Sequence, residues 1–582
     1  MSNESLFSKV PVKVQKKSGF DLSFQNLLTT KVGTITPVLC EELIPNETIH
    51  LGAAIQAQLP PLASDTFMRC DLRYEAFFVP HRLVMNGYEE WLVPKSEVGQ
   101  STLADAANVP RIPQLAITTA EAQPGTLADY LGFRSAIAQF PSSGNGYNIT
   151  SASTAQVTAL PFLAYHRIYD DWYRNTLVQN SIYRSPGVAT SSSYSLVYGA
   201  ANSKFITPCT NRGYILNYDG SVDAGNAGNK KYVDGVKVTE LRQRNFGIDR
   251  FTSATPSAQN GSAAGLSMVV SEGSAGVGSA GFTIGQLRAA NSIQMFLERN
   301  NLTSNNLVGY VKANYNANLS EGVAQRAILL GSGKFAVYSK GVYNSTNEPA
   351  DGNIAVNNPF GSVGAQYGSA FASGAETIVD SFTAMEPGYL FVMCTLVPKV
   401  TYSTGIDRKL IRYRTNSRTD LANPILQNTG NEPIFQAELC SDLAFSPGNS
   451  GITGDIFGYQ ERYSDWKSHD DELHGLLRER DLKWSGTSGY TEVGTLQSFA
   501  LQSSFGLTNI PQISNSFLQI PTTYLDNVAA VEGDISKYGC WIDSYFDFKV
   551  SMPLARYSMP SLQDPAYEHG DDVWLDRGGK RL

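Results

Sequence analysis

The densest group of potential metal ligands in the sequence is HDDELH, at residues 469–474. A zinc-binding HExxH helix places two histidines four residues apart, with a glutamate directly after the first, so that both imidazoles lie on one face. Here His469 and His474 are five residues apart, and Asp470 follows the first histidine. Because this spacing does not match a zinc helix, we expect no metal and no other cofactor.

Asp543 and Asp547 offer a second chemistry, because glycoside cleavage needs two carboxyl groups that flank one bond. Residues 541–548 alternate in character with the period of a β-strand, which puts both aspartates on one face. The opposite face then carries Ile542, Ser544, Phe546 and Phe548. A β-sandwich protein that binds or cleaves carbohydrate is therefore an alternative function, although nothing in the sequence fixes the separation of the two carboxyl groups.

Two glycine-rich stretches resemble phosphate-binding loops only in part. In LGSGKF, residues 330–335, Phe335 stands where a serine or threonine would bind magnesium, and Ile328 stands where the motif begins with glycine. GSAGVGSAG, residues 273–281, lacks the preceding strand of a nucleotide-binding unit and is typical of a low-complexity loop. The sequence also contains no GxSxG elbow and no spaced Cys–His signature. We therefore predict that the protein is not an enzyme.

Length and composition favour a large β-rich protein with long loops. At 582 residues the chain exceeds the roughly 100–200 residues expected of one domain, so it has several domains or one domain with large insertions. Charged residues make up 17%, whereas Gly (51), Tyr (29) and Phe (27) are abundant, which favours short strands joined by uncharged loops. The net charge of -8 argues against a surface coated in basic residues, although the sum would hide a local patch.

The cysteines are widely separated and include no CxxC pair, which is typical of reduced core cysteines: Cys40, Cys70, Cys209, Cys394, Cys440 and Cys540. The N-terminal residues contain no apolar segment of the kind that a signal peptide needs. The longest clean apolar run, residues 390–397, is too short to cross a bilayer. These features predict a soluble protein without an N-terminal secretion signal.

Residues 68–94 contain the strand around which the rest of the chain is organised. Every second residue from Cys70 lies on one apolar face, while the opposite face begins with charged side chains. Phe77 and Val79 then make the second face apolar too, which predicts that the strand becomes buried on both sides. Pro80 cannot donate a backbone hydrogen bond, so we expect strand pairing to end or bend there.

Two stretches have a helical period. Residues 160–180 carry apolar side chains at helical spacing after a proline in the first turn. Residues 283–299 begin with Thr283 as a helix cap and are predicted to point Ile284, Leu287, Ile293, Phe296 and Leu297 inward. The rest of this middle region is rich in Gly, Ser, Ala and Asn and is predicted to form loops.

Basic residues that could face nucleic acid occur in two places. The N-terminal arm alternates lysine with valine, and residues 408–418 form the densest basic segment that also contains an aromatic side chain. The respective alternatives are a solvated arm and a charged rim that pairs with Asp and Glu residues of a neighbour. The candidate residues are Lys9, Lys13, Lys16, Lys17, Arg408, Lys409, Arg412, Arg414 and Arg418.

Long blocks of the sequence resemble the major capsid protein of the Microviridae, the small tailless single-stranded DNA phages, and in particular the gokushovirus branch. The blocks occur in the family's order and cover about half of the chain, which is more specific than any single motif. They are VGTITPVLCEELIPNET, FFVPHRL, LPFLAYHRIYDDWYRN, DRFTSATP, IGQLRAANSIQMFLER, GYLFVMCTLVPKVTYSTGIDR, IFGYQERYSDW and DSYFDFKVSMPLARYSMPSL.

The resemblance implies a mainly β fold, an eight-stranded antiparallel viral jelly roll (β-sandwich) with long loop insertions and a few α-helices. We predict a basic N-terminal arm at residues 1–30 and one capsid domain at residues 31–582. The predicted insertions fall at about 97–158, 160–385 and 416–500. The second of these holds the helices 160–180 and 283–299 and the variable loops 185–245 and 257–281.

The resemblance also implies a structural protein without catalytic activity. Many copies would build a T=1 icosahedral shell, which means sixty copies, around a circular single-stranded DNA genome. The implied partners are further copies, this DNA, a small basic DNA-binding virion protein, a minor pilot protein and a host surface receptor. The implied location is the virion, after assembly in the host bacterial cytoplasm. The candidate assembly or packing residues are Phe77, Phe78, Pro80, Trp91, Trp172 and Trp541.

Overall fold

The structure, a computed structural model, describes residues 17–62, 66–85, 112–133, 154–179, 232–258, 284–301, 307–343, 366–441, 456–478, 513–528 and 539–554, apart from short gaps within these ranges. The strands are β1 (Ser18–Asp21), β2 (Phe24–Thr30), β3 (Thr36–Leu43), β4 (Thr48–Gln58), β5 (Cys70–Pro80), β6 (Gln114–Thr118), β7 (Thr154–Thr158), β8 (Tyr232–Val233), β9 (Val236–Lys237), β10 (Ile328–Tyr343), β11 (Gln366–Thr383), β12 (Gly388–Pro398), β13 (Glu432–Phe435), β14 (Ile456–Gln460) and β15 (Cys540–Met552).

The α-helices are mostly short and lie between the strands. Their bounds are Leu127–Tyr130, Leu160–Ile168, Ile284–Asn301, Leu307–Tyr315, Glu321–Ala324, Arg408–Ile411, Ser464–Lys467 and Asn515–Leu518. One π-helical turn, Tyr169–Tyr173, continues the second of them. Single 3₁₀ turns occur at His81–Leu83, Arg418–Asp420, Leu426–Thr429, Gln436–Glu438 and Gly475–Arg478.

Among the described residues, nine strands form one continuous, curled antiparallel sheet. One half has the order β2-β15-β4-β11 and the other the order β10-β5-β12-β3, and pairing between β10 and β11 joins the two halves. Strand β1 pairs with β15 beyond the end of β2. Eight strands in this order form a jelly roll, so the predicted fold class is confirmed.

The main apolar core lies between the two halves of the sheet. Tyr74 of β5 is fully buried there, and its hydroxyl oxygen is 2.7 Å from the Ser544 Oγ of β15 in the opposite half. The edge of the Tyr74 ring meets Phe335, with 5.9 Å between ring centroids. Along β15, Ile542, Ser544, Phe546 and Phe548 are buried, which confirms the predicted alternation. The buried hydroxyls thus satisfy each other while the aromatic rings fill the core.

The outer face of β5 and β12 is covered by the insertion that follows β5. Phe77 and Val79 of β5 and Phe391 of β12 belong to a second buried cluster, together with most of helix Leu160–Ile168. This cover explains why β12 is buried at every position. The prediction that β5 becomes buried on both faces is confirmed.

A third apolar cluster joins the two long insertions, residues 81–327 between β5 and β10 and residues 399–539 between β12 and β15. Phe251 and Ala254 come from the first insertion, and Ile434 and Phe457 come from the second. Thr255 and Tyr459 also exchange backbone hydrogen bonds of 2.8 Å across this contact. The two insertions therefore support each other beside the jelly roll.

The glycine-rich residues 328–383 differ from the predicted insertion, because they contain β10 and β11. A Cβ atom at Gly331 would lie 1.9 Å from the Ile378 carbonyl oxygen, and the register with β5 shifts beside this glycine. A Cβ atom at Gly374 would lie 2.8 Å from the Phe335 ring. These glycines permit the close approach of backbones where the sheet curls from one half into the other.

Residues 18–30 also differ from the prediction, since they form β1 and β2 rather than part of an arm. The Phe24 ring stacks on Phe546 with 5.3 Å between centroids, and Phe20 and Leu28 pack against the same core. Alternating apolar residues thus add this segment to the sheet. Residues 1–16, most of the loop 185–245 and residues 259–281 lie outside the described residues.

The two predicted helices form, with different details. The first is α-helical only over Leu160–Ile168 before the π turn, and the second extends over Ile284–Asn301. The prediction that Ile293 and Phe296 face inward is wrong, because these side chains are 51% and 45% exposed. Phe296 contacts only a neighbouring helix, with its ring centroid 6.3 Å from that of Tyr310.

Candidate assembly and nucleic-acid surfaces

Three of the candidate packing residues lie in or at the end of β5 and make contacts inside the subunit. The Phe77 ring lies 5.9 Å from the centroids of both Trp172 and Tyr173. On the other face of the strand, the Phe78 ring lies 5.2 Å from that of Phe382. Pro80 is buried and ends the strand. These residues therefore stabilise the subunit itself.

Trp172 fixes the helical part of the first insertion to the start of β10. Its indole Nε1 donates a hydrogen bond of 2.8 Å to the Ala327 carbonyl oxygen. The Arg326 guanidinium lies 4.6 Å from the ring centroid, within the range of a cation–π contact. Trp91, another candidate, lies outside the described residues.

The charged face of β5 is engaged by other parts of the chain. Asp71 forms an ion pair of 3.0 Å with Lys334 of β10, and Glu75 pairs with Arg244 of the first insertion. Lys334 belongs to the glycine-rich segment LGSGKF, which forms part of β10. This segment therefore does not form a phosphate-binding loop.

The basic segment after residue 407 is largely compensated within the subunit. Arg408 Nη1 lies 2.8 Å from Glu438 Oε1 and 3.1 Å from the Pro433 carbonyl oxygen. The other carboxylate oxygen of Glu438 accepts a hydrogen bond of 2.5 Å from Arg250 Nη2. Glu438 is almost fully buried and thus bridges the two insertions. Arg408 is therefore paired with an acidic residue of its own subunit, rather than with one of a neighbour as in the alternative interpretation.

Only part of the predicted basic set remains at the surface. Arg412 forms an ion pair with Asp465 and lies 4.3 Å from the centroid of the Trp466 ring. Lys409 is exposed beside Asp407, and Arg418 is exposed as well. Lys17 is exposed and donates a hydrogen bond of 3.2 Å to the Thr48 Oγ1. The remaining candidates, Lys9, Lys13, Lys16 and Arg414, lie outside the described residues.

Asp543 and Asp547 lie on the solvent face of β15, on an open sheet surface. Asp543 Oδ1 accepts a hydrogen bond of 2.8 Å from Gln25 Nε2. A hydrogen bond from Lys549 holds the pKa of Asp547 below its ordinary value. The acid of a glycosidase needs a raised pKa, so Asp547 does not suit that role.

The HDDELH segment is mostly exposed and borders a cleft of about 380 Å³ that Asp249, Lys467 and His469 help to line. Burial, followed by the nearby charge of Asp249, raises the pKa of Asp470 to about 6. Within the described ranges, no three His, Cys, Asp or Glu side chains are arranged to hold a metal ion.

Five of the cysteines are free thiols, as predicted: Cys40, Cys70, Cys394, Cys440 and Cys540. All except Cys40 are buried, and burial raises the pKa of the Cys540 thiol to about 12. None of the helices in the described ranges combines the length and the apolar character needed to cross a membrane. Cys209 lies outside these ranges.

Two groups of residues carry no local signal or only a weak one in the sequence. Arg244 and Glu438 are largely buried and act through ion pairs with residues far away in the chain, and no local motif marks them. Tyr338 and Phe371 are exposed on the solvent face of the sheet next to each other. Their alternation with buried neighbours was a detectable signal, but the glycine content of the surrounding residues obscured it.

The strand order defines a jelly-roll β protein, a class of fold found in viral capsids and lectins. The chain belongs to the capsid protein (F protein) family, whose model matches residues 8–562. It is 24% identical to the capsid protein VP1 of Chlamydia phage 1, over 96% of this chain and 97% of that protein.

Two further relatives extend this result. The capsid protein VP1 of Bdellovibrio phage phiMH2K is 24% identical over 96% of this chain and 98% of its own length. The capsid protein VP1 of Spiroplasma virus 4 is 20% identical over 94% of this chain and 95% of its own length. The resemblance to Microviridae capsid proteins is confirmed, and the chain is a structural phage capsid protein rather than an enzyme.

Proposed function

We propose that this capsid protein is the major subunit of a T=1 icosahedral shell, built from sixty copies, that encloses a circular single-stranded DNA genome. The observation that supports assembly is a concentration of exposed apolar side chains on the insertion after β12. They include Leu410 (72% exposed), Leu421 (53%), Ile425 (81%), Trp466 (57%) and Leu476 (55%). Large apolar side chains left exposed in one part of a chain are candidates for interaction sites.

These residues belong to an insertion that is already held together by the third apolar cluster and by the ion pairs of Glu438. They are therefore free to serve contacts with neighbours rather than the subunit core. Interfaces of permanent assemblies bury on the order of 2,000 Å² or more, and aromatic residues are enriched at their centres. Trp466, with Arg412 beside its ring, has the composition of such a centre.

In this proposal the single-stranded DNA lies on the inner side of the shell. Exposed cations such as Lys17, Lys409 and Arg418 would reach its phosphates, together with a small basic DNA-binding virion protein. A minor pilot protein and a host surface receptor complete the proposed partners. The protein would assemble in the host bacterial cytoplasm and reside in the virion.

The test is to express the full-length chain and to examine it by electron microscopy and by nuclease protection of the DNA that accompanies it. We expect particles of one diameter that protect circular single-stranded DNA. Ile425→Asp changes an exposed residue and leaves the core intact, so it should lower the particle yield without changing the unfolding midpoint of the free chain. A chain that stays monomeric at high concentration, with no protected DNA, would contradict the proposal.

A further inference from the structure

One row of paired residues crosses four adjacent strands and continues into a fifth on the solvent side of the sheet. Tyr338 pairs with Phe371, Phe371 with Gln58, Gln58 with Trp541, and Trp541 with Thr29. Directly paired residues of antiparallel strands point to the same face. The five side chains, which we call the aromatic row, therefore stand side by side.

The rings of this row are accessible. Tyr338 is 61% exposed, and Phe371 and Trp541 are each 42% exposed. Two neighbouring residues on the same side of the sheet, Leu27 and Tyr545, are 71% and 50% exposed. Large aromatic side chains left open on a sheet face of a soluble chain indicate a binding surface.

The chemistry of the row favours nucleobases as its ligand. The Cβ atoms of directly paired residues stand about 5 Å apart, which places the Tyr338 and Phe371 side chains next to each other on the same face. The Gln58 amide, between Phe371 and Trp541, can both donate and accept hydrogen bonds, which suits the mixed donors and acceptors at the edges of bases. Exposed aromatic residues on a sheet stack unpaired bases in RNA-recognition domains, and such stacking tolerates every base.

The charges around the row fit a DNA strand whose bases face the sheet. The row itself contains no cationic side chain, so it offers no charge attraction to a phosphate. Exposed Lys31 and Lys340 lie at its two ends, each two residues along the chain from a member of the row, Thr29 and Tyr338 respectively. Asp543, two residues from Trp541, would repel phosphates from the middle of the sheet. This repulsion favours a DNA backbone that runs past the two lysines.

We propose that the aromatic row stacks bases of the packaged single-stranded DNA and that this side of the sheet faces the interior of the shell. The inference rests on the proposed function, because it names where the genome meets the subunit. The aromatic row is a different candidate surface from the basic segment after residue 407. In that segment Arg408 and Arg412 are paired with carboxylates of the same chain.

The test measures binding of the purified full-length chain to a fluorescein-labelled oligothymidylate of about 20 nucleotides by fluorescence anisotropy. Trp541→Ala and Phe371→Ala should each weaken binding by at least about five-fold, since one stacked base contributes about 1–3 kcal/mol. Trp541→Phe keeps a ring and should retain most of the affinity. Tyr315→Ala, which removes an exposed aromatic ring outside the sheet, is the matched control and should leave affinity unchanged.

The outcomes separate this inference from the proposed function. Unchanged affinity in Trp541→Ala and Phe371→Ala, with DNA-containing particles still formed by the unaltered chain, would overturn the inference alone. Loss of particles in these variants with unchanged oligonucleotide affinity would show that the row contacts another copy of the chain instead, and would also overturn it. Failure of the unaltered chain to form particles that protect DNA would contradict the proposed function, whatever the oligonucleotide result.

Discussion

Glu75 and Arg244 form a two-point ion pair that joins the central strand β5 to the insertion that follows it. Arg244 Nη1 and Nη2 donate to the two carboxylate oxygens of Glu75 at 2.7 and 2.8 Å. Tyr173 donates to the same carboxylate, and its ring centroid lies 4.9 Å from the Arg244 guanidinium. Burial acts to raise the pKa of Glu75, but hydrogen bonding and the charge of Arg244 outweigh it and lower that pKa.

Glu75→Ala should strongly destabilise the subunit, because it leaves the Arg244 side chain, only 14% exposed, without its carboxylate. Removing one partner of a buried ion pair costs about 3–5 kcal/mol. We expect a corresponding loss in the free energy of unfolding of the unassembled chain, measured with urea. Asp547→Ala breaks an exposed pair with Lys549 and is the control. Equal effects of the two substitutions would refute the role of the Glu75 pair.

Arg408→Ala and Lys409→Ala should differ although the residues are adjacent. The Arg408 side chain is 12% exposed and bonded to Glu438, whereas the Lys409 side chain is 68% exposed. Loss of a hydrogen-bonded charge pair costs about 1.5–3 kcal/mol, so Arg408→Ala should lower the free energy of unfolding by that amount. Lys409→Ala should leave it unchanged. If instead both variants had the free energy of unfolding of the unaltered chain, the proposed structural role of Arg408 would be contradicted.

Gly331→Ala should prevent normal folding, because the added Cβ atom would lie 1.9 Å from the Ile378 carbonyl oxygen, a backbone atom. We expect destabilisation of more than about 4 kcal/mol, seen as loss of soluble chain or of cooperative unfolding. Gly19→Ala is the matched control in another strand, since a Cβ atom there meets nothing within 4 Å. A Gly331→Ala chain as stable as Gly19→Ala would contradict the close packing of β10 on β11.

Stability should fall in mild acid partly because of His81. Burial lowers the pKa of His81 to about 4 from an ordinary value of 6.5. The unfolded chain therefore binds a proton at this residue before the folded chain does. The stabilising contribution of the neutral imidazole is complete above pH 6.5 and declines as pH falls toward 4.

His81→Phe should remove this part of the pH dependence. Between pH 6 and pH 4.5, the free energy of unfolding of the variant should change less steeply than that of the unaltered chain, by up to about 1.4 kcal/mol per pH unit. Urea unfolding at several pH values measures this slope. His469→Phe replaces an exposed histidine and should keep the original slope. An unchanged slope in His81→Phe would show that His81 does not titrate as described.

Local patterns in the sequence were sufficient to predict the strands whose side chains alternate strictly between two faces. They were also sufficient to reject the phosphate-loop motif. The alternation of residues 541–548 predicted which side chains of β15 enter the core, because neighbouring residues of a strand must point to opposite faces. Phe77 and Val79 predicted a second covered face of β5 for the same reason. The mismatch at Phe335 correctly excluded a phosphate loop.

Other features depend on residues that are far apart in the chain, and only the tertiary structure decided them. Glycine-rich composition suggested loops at residues 328–383, yet these residues form strands. Gly331 is required there because the backbone of Ile378 lies against it, and Gly374 because the Phe335 ring does. The charge of Arg408 is compensated by Glu438, thirty positions later. The aromatic row combines residues from separate strands, since pairing across a sheet brings together side chains that no local period relates.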